Sequence, residues 1–337
     1  PIVIVIILFS FCSCSKTDVI MKTVNQPTDT IRYTTLYAEE LTPTLTHQSL
    51  PTGINNSFNV QSISVSKNEL FCANINAQRV DVFEANTLQY KESFAESMIC
   101  RDVFADEQYI FVTGLSNPRC QVSVYDRQSK EYICRLGNGS YSGPLTHPIS
   151  VIANDKYIFV RDQSTVIKVF LRKEIASGKN LNVYCRLNIE KSQAMNTENY
   201  DFGIFKYMLY AVNNKNSTIY MYDLSKGLER NIEHPFAAKF KYADSQQPFA
   251  FSASDKYLFI GTKIGNKAQL NVYKQDMDNL ADLGNTFATI STIKTEPINH
   301  ILSLGAKGDT LLIATGKQSI IPLRIKERYY NIVTPKP

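Results

Sequence analysis

Tryptophan is missing from this 337-residue chain, histidine occurs four times, and glycine only 14 times. Without Trp there is no obvious platform for stacking a sugar ring, although 19 Tyr and 18 Phe remain. The histidines, His47, His147, His234 and His300, form no HxH or HExxH pair, so no compact zinc motif is present. GxSxG, the P-loop and the dinucleotide fingerprint are absent as well; the glycine-rich "GNGSYSG" at 137–143 lies between strand-like runs with no helix to follow. Lys and Arg outnumber Asp and Glu by 36 to 31, with no dense basic tract, which argues against nucleic acid as a partner. Beyond the first eleven residues no apolar run is long enough for a membrane helix. What remains, 44% hydrophobic and 20% charged, is an ordinary globular composition able to build a core.

The most informative feature is a phrase written six times: "NELFCANI", "EQYIFVTG", "DKYIFVRD", "KYMLYAVN", "DKYLFIGT" and "DTLLIATG". Aligned on Phe71, Phe111, Phe159, Tyr210, Phe259 and Ile313, the copies are 40, 48, 51, 49 and 54 residues apart. A period of this size marks a repeat architecture. Most copies follow an apolar run ("SISVS", "ICRDVFA", "ISVIA", "PFAFSA", "ILSLGA") and precede an alternating one ("RVDVFEA", "QVSVYDR", "VIKVFLR", "TIYMYDL", "QLNVYKQ"). Alternation at period two with β-branched and aromatic residues is a strand signature. With a weaker fourth run such as "QYKESF" or "YICRLG", each unit reads as a four-stranded antiparallel meander. Six such units predict an all-β fold, a six-bladed β-propeller over residues 31–337. An unpaired edge in the last blade would invite pairing with other chains. The segment "IRYTTLYAEEL" is therefore expected to close the ring as its fourth strand, with the C-terminal "YYNIVT" as the competing segment.

The chain start adds a compartment. Residues 1–11 are uncharged and apolar, with the length of a signal-peptide core. There is no initiator Met and no basic leader ahead of them, so the start is read as truncated. "FCSC" resembles a bacterial lipobox, which implies lipidation of Cys14, with Cys12 as the alternative acceptor. Two or three acyl chains hold a protein on a membrane stably without a transmembrane helix. Residues 15–30 are polar and without periodicity, and are read as a flexible tether that spans about 50 Å when extended.

Blade 3 carries a family resemblance. In "GNGSYSGPLTHPISVIANDKYIFVRDQSTVIKVF", Gly137, Gly139 and Gly143 stand in the linker, Pro148 before the inner strand, Asp162 at the end of the second and Val169-Phe170 in the third, which looks like an NHL-type propeller repeat. More widely, the chain resembles NHL-like and TolB-like six-bladed propeller lipoproteins of Gram-negative envelopes. The resemblance implies a monomeric protein in the cell envelope, anchored to a membrane by lipid, whose propeller face binds a protein, peptide or glycan without catalysis.

In a propeller, the blade-to-blade linkers and the loops between second and third strands share one face around the channel. Arg101, Asp102, Arg119, Arg161, Asp162 and Asp201, from three adjacent blades, are expected to converge there as a mixed-charge ligand cup. The alternative is a metal-assisted hydrolase or lyase. His147 and His300 with Asp102 or Asp201 would suit zinc. Similarity to lactonase-type propellers implies instead calcium held by oxygen donors among Asp102, Asp162, Asn199, Asp201 and Asn213. The "DKY" turns at Asp155 and Asp255 belong to the opposite face and read as structural. Among the cysteines after Cys14, Cys120 and Cys134 flank one hairpin and are the pair nearest to a disulfide; burial as small hydrophobes is the default for all five.

Overall fold

The computed structural model describes residues 22–24, 30–46, 48, 50–51, 58–116, 119–137, 145–162, 166–188, 201–213, 217–243, 246–274, 288–290, 292–293, 296–297, 301–315 and 319–333. Apart from a two-stranded pair, Thr292–Ile293 with Glu296–Pro297, their strands form six mainly antiparallel sheets arranged radially as a six-bladed propeller, in which each innermost strand packs against the next and the last against the first. Blade 1 comprises Val60–Ser66, Glu69–Asn74, Arg79–Glu84 and Tyr90–Phe94. Blade 2 comprises Ile99–Ala105, Tyr109–Ser116, Arg119–Asp126 and Tyr132–Leu136. Blade 3 is Pro148–Ala153, Tyr157–Asp162, Val166–Leu171 and Cys185–Asn188, extended by a parallel fifth strand, Glu233–His234, lent by blade 4. Blade 4 is Phe202–Phe205, Met208–Asn213, Thr218–Asp223 and Ala238–Lys241, and blade 5 is Gln246–Ala253, Tyr257–Ile264, Lys267–Lys274 and Ala288–Ile290.

Blade 6 takes Ser303–Lys307, Thr310–Thr315 and Ser319–Val333 from the end of the chain and Thr30–Glu40 from its beginning. The N-terminal segment is thus the closing strand, paired antiparallel from Thr30↔Val333 to Glu40↔Leu323. Of the competing segment, residues 329–333 form the far end of the third strand rather than a fourth. Lys22–Val24, within the segment read as a tether, pairs with Arg32–Thr34 and adds a further strand beyond the closing one.

Stability is distributed among blade junctions. Among the described residues the buried apolar side chains fall into six clusters, each shared by two neighbouring blades; the one closing the ring joins Leu312, Ala314 and Ile320 of blade 6 to Ile63, Leu70 and Phe83 of blade 1. Each second strand is sandwiched in this way on both faces. Tyr157–Asp162 and Met208–Asn213 are therefore buried at every position, and their stretches 157–160 and 208–212 read as continuous apolar runs instead of alternating ones.

The repeated phrase is a turn plus a stitch. The residue before the conspicuous Asp-Lys makes the turn: Asn154 Oδ1 accepts from Lys156 N–H (2.9 Å) and Tyr157 N–H (2.8 Å), and Ser254 Oγ accepts from Lys256 and Tyr257 N–H (3.2 and 3.1 Å). Asp106 Oδ1 does the same in blade 2 for Gln108 and Tyr109 N–H (2.8 and 3.0 Å). These are side-chain-closed turns, and Asp155 and Asp255 themselves are exposed. The tyrosine that follows reaches the next blade: Tyr157 OH accepts from Leu228 N–H of blade 4 (2.9 Å), and Tyr257 OH donates to Glu327 Oε1 of blade 6 (3.1 Å). In blade 1 Glu69 holds this position and pairs with Arg127 of blade 2 (2.8 Å), while the ring of Tyr109 lies under the Arg172 guanidinium of blade 3 (5.1 Å).

The default reading of the cysteines as buried thiols holds for those described, and the alternative disulfide between Cys120 and Cys134 does not form. Cys134 is a buried free thiol, as are Cys72, Cys100 and Cys185. Its backbone sits opposite Val124, four positions along the strand from Cys120, which is opposite Leu115. Four residues of strand are about 13 Å, far beyond disulfide reach.

Candidate functional site

An innermost strand is an edge, and half of its amides point into the channel with no neighbouring strand to accept them. Such groups need partners from elsewhere. In this ring, side chains at equivalent places in the inner strands supply them. Asp102 Oδ1 accepts from its own Val103 N–H (2.9 Å), and Oδ2 from Val151 N–H of blade 3 (2.7 Å). Asp201 repeats the arrangement two blades on, accepting from Phe202 N–H (2.8 Å) and from Phe251 N–H of blade 5 (2.9 Å). Ser303 Oγ accepts from Ile63 N–H of blade 1 (3.1 Å), so junctions 2–3, 4–5 and 6–1 are tied by one device. Ser62 donates its hydroxyl to Asp102, and Ser64 Oγ accepts from Ala105 N–H of blade 2 (3.0 Å). A β-bulge in the inner strands of blades 1, 2, 3 and 5 sets this level, with the register shift falling just before Ser62, Asp102, Ser150 and Ala250.

The space enclosed is a channel cavity of about 300 Å³, lined by all six inner strands. Asp102 and Asp201 are the titratable side chains on its wall. Burial raises the Asp102 carboxyl above the usual range, against the pull of the Ser62 and Val151 hydrogen bonds. Asp201 is partly open to the cavity but enclosed by protein. Burial first, and the charge of Asp102 second, push it up to about 8.

The rest of the expected cup lies elsewhere. Neighbours on a strand point to opposite faces, so Arg161 and Asp162 cannot both meet the channel. Arg161 is wholly buried between blades 3 and 4, donating to Val212 O (3.2 Å). Asp162 accepts from Lys168 Nζ (2.5 Å), Thr146 N–H (2.8 Å) and His147 N–H (2.5 Å). Burial works to raise its carboxyl, but these partners outweigh it and hold the group below its ordinary value. It anchors the linker entering blade 3 to that blade's own third strand. Arg101 is the half-buried bulge residue beside Asp102, and neither it nor the 161–162 pair lines the cavity. Arg119 stands in the third strand of blade 2, with its side chain outside the described residues.

For the metal alternatives, Asp102 and Asp201 share a wall, whereas Asp162 and Asn213 are buried away from it. His300 and Asn199 lie outside the described residues, and His147 is half-buried at the blade 3 linker. Among the described residues no group of three or more His, Cys, Asp and Glu is placed to hold a metal ion, and no helix is long and apolar enough to cross a membrane.

No protein-family model matches this chain, and no curated protein matches it in sequence. Ser62, Ser64 and Ser303 were missed in the sequence. For Ser62 a recurrence exists: a Ser or Asp stands two residues before the position paired with the aligned aromatic in blades 1 to 4, at Ser62, Asp102, Ser150 and Asp201, whereas Ser64 and Ser303 fall outside it.

Proposed function

We propose that this protein is a non-catalytic binding propeller, anchored by lipid on Cys14 to a membrane of a Gram-negative-type envelope, and that the face bearing its blade-to-blade linkers takes a protein, peptide or glycan partner. The observation that carries the non-catalytic reading is the use made of the channel carboxyls. The oxygens of Asp102 and Asp201, the groups nearest to an acid–base or metal constellation, are engaged by backbone amides of successive blades. The opposite face is stitched by Glu69, Tyr157 and Tyr257 across blade junctions, which favours the linker face for recognition. The NHL-like pattern of blade 3 supports kinship with the propeller lipoproteins, since Asp162 ties down the linker that carries the pattern's glycines.

The test is site-specific photocrosslinking in the cell that makes the protein. Probes at Gln78 and Asn266, in turns of the linker face, should each give a discrete adduct. Probes at Asp155 and Asp255 should give none, and equal labelling from both faces would refute the assignment. In parallel, a fatty-acid probe should label the wild-type chain and not Cys14→Ala; persistent labelling and membrane retention of the variant would overturn the anchor.

A further inference from the structure

Two carboxyl groups and, among the described residues, no basic side chain line the channel cavity. Asp102 comes from blade 2 and Asp201 from blade 4. The stretches that blades 1, 3, 5 and 6 add to the wall, Ser62–Val65, Val151–Ala153, Phe251–Ala253 and Ser303–Ala306, carry no titratable side chain. Each carboxyl grips an amide of its own blade and one of the following blade, Asp102 across junction 2–3 and Asp201 across junction 4–5, so burial and mutual repulsion of the ionised pair act against the bonds that hold these two junctions. Among the described residues no cation lines the cavity; two like charges confined there oppose each other, and the relief open to the pair is to keep a proton. We propose that Asp102 and Asp201 form a proton-operated latch of the inner ring: with one proton held by the pair, junctions 2–3 and 4–5 are closed, and with both groups ionised those two junctions loosen. This inference is independent of what the linker face binds.

The direction with pH follows from the raised Asp201. In the unfolded chain an aspartate ionises near 3.8, and in the fold Asp201 does so at about 8. Between these values the folded state holds the extra proton. The latch contribution is therefore complete below about pH 4, declines as pH rises, and is gone above about pH 8. Because the two groups interact, the titration belongs to the pair.

Infrared spectroscopy of the full chain in deuterated buffer reads the proton directly. The wild type should show a carboxylic-acid carbonyl band at pH 6 that bleaches with a midpoint near pH 8, and Asp201→Asn should remove it or shift it strongly. Absence of that band in the wild type at pH 6 overturns the proposal, and this measurement stands even where a variant fails to fold. In Asp102→Asn the midpoint should move to lower pH, because one charge has gone; an unchanged midpoint refutes the pairing. Hydrogen exchange, corrected for intrinsic rates, completes the test. Protection at Val151 and Phe251 should fall at least tenfold between pH 6 and pH 9 relative to Ile313 of blade 6, whereas a uniform change across blades would refute a latch at those junctions.

Discussion

Gly203 stands on the inner strand of blade 4, paired with Tyr210, and the ring of Phe251 from blade 5 lies where its side chain would be. A Cβ at this position would sit 1.5 Å from Phe251 Cδ1 and 1.6 Å from Cε1. The glycine serves space here, as its backbone is ordinary extended strand. Phe251 is 3% exposed and its ring stacks on Tyr210 at 5.0 Å, so it cannot move aside without leaving its cluster. Ordinary overpacking costs about 1–3 kcal/mol. Expelling a buried Phe is equivalent to losing it, about 3–5 kcal/mol, and an overlap this deep places Gly203→Ala in that higher range. At roughly 2 °C per kcal/mol for a chain of this size, the melting temperature should drop by about 6–10 °C. Calorimetry on Gly203→Ala, Phe251→Ala and the double variant forms the cycle. With the ring removed, the added methyl should cost under about 1 kcal/mol, leaving a coupling of at least about 2 kcal/mol between the two sites. Strict additivity, or a Gly203→Ala protein that melts like the wild type, would refute the contact.

Leu36 is fully buried at the centre of the closing strand, opposite Glu327, so Leu36→Ala should cost about 2–5 kcal/mol in urea denaturation, and a loss under about 0.5 kcal/mol would deny the strand its closing role. Asp162→Ala leaves Lys168 buried without its carboxylate and should cost about 3–5 kcal/mol, while Asp155→Ala at an exposed turn should stay within about 0.5 kcal/mol. Asp162 also sets an acid limit of opposite sign to Asp201. Its carboxyl is held below 3.8, so its contribution is present above about pH 4 and lost as pH falls through the lowered value, and the urea midpoint of Asp162→Asn should vary less than the wild type's between pH 5 and pH 2. Burial pushes the thiols of Cys100 and Cys185 to about 12 and Cys134 to about 11, with Cys72 raised as well. Iodoacetamide at pH 8 should spare all four in the native protein and modify them in urea, as mass spectrometry would show.

Periodicity alone carried the architecture, because strand alternation and turn chemistry are local and survive in the order of residues. Six copies of one phrase, each flanked by alternating runs, specify blades, and the edge left open in the last of them calls for the strand at 30–40. Which blade residues meet is a different kind of fact. Asp102 and Asp201 share a cavity because the ring brings blades 2 and 4 around one axis, a juxtaposition no local pattern encodes. Arg161 and Asp162, adjacent in sequence, are separated by the pleat, one into the junction with blade 4 and the other onto its own blade's linker. Gly203 is legible only once Phe251 is seen lying over it. Local sequence determined the blades and the turns between their strands. Closure of the ring decided the rest, because contacts between blades depend on distances that span about fifty residues of chain or more and exist only when the circle is complete.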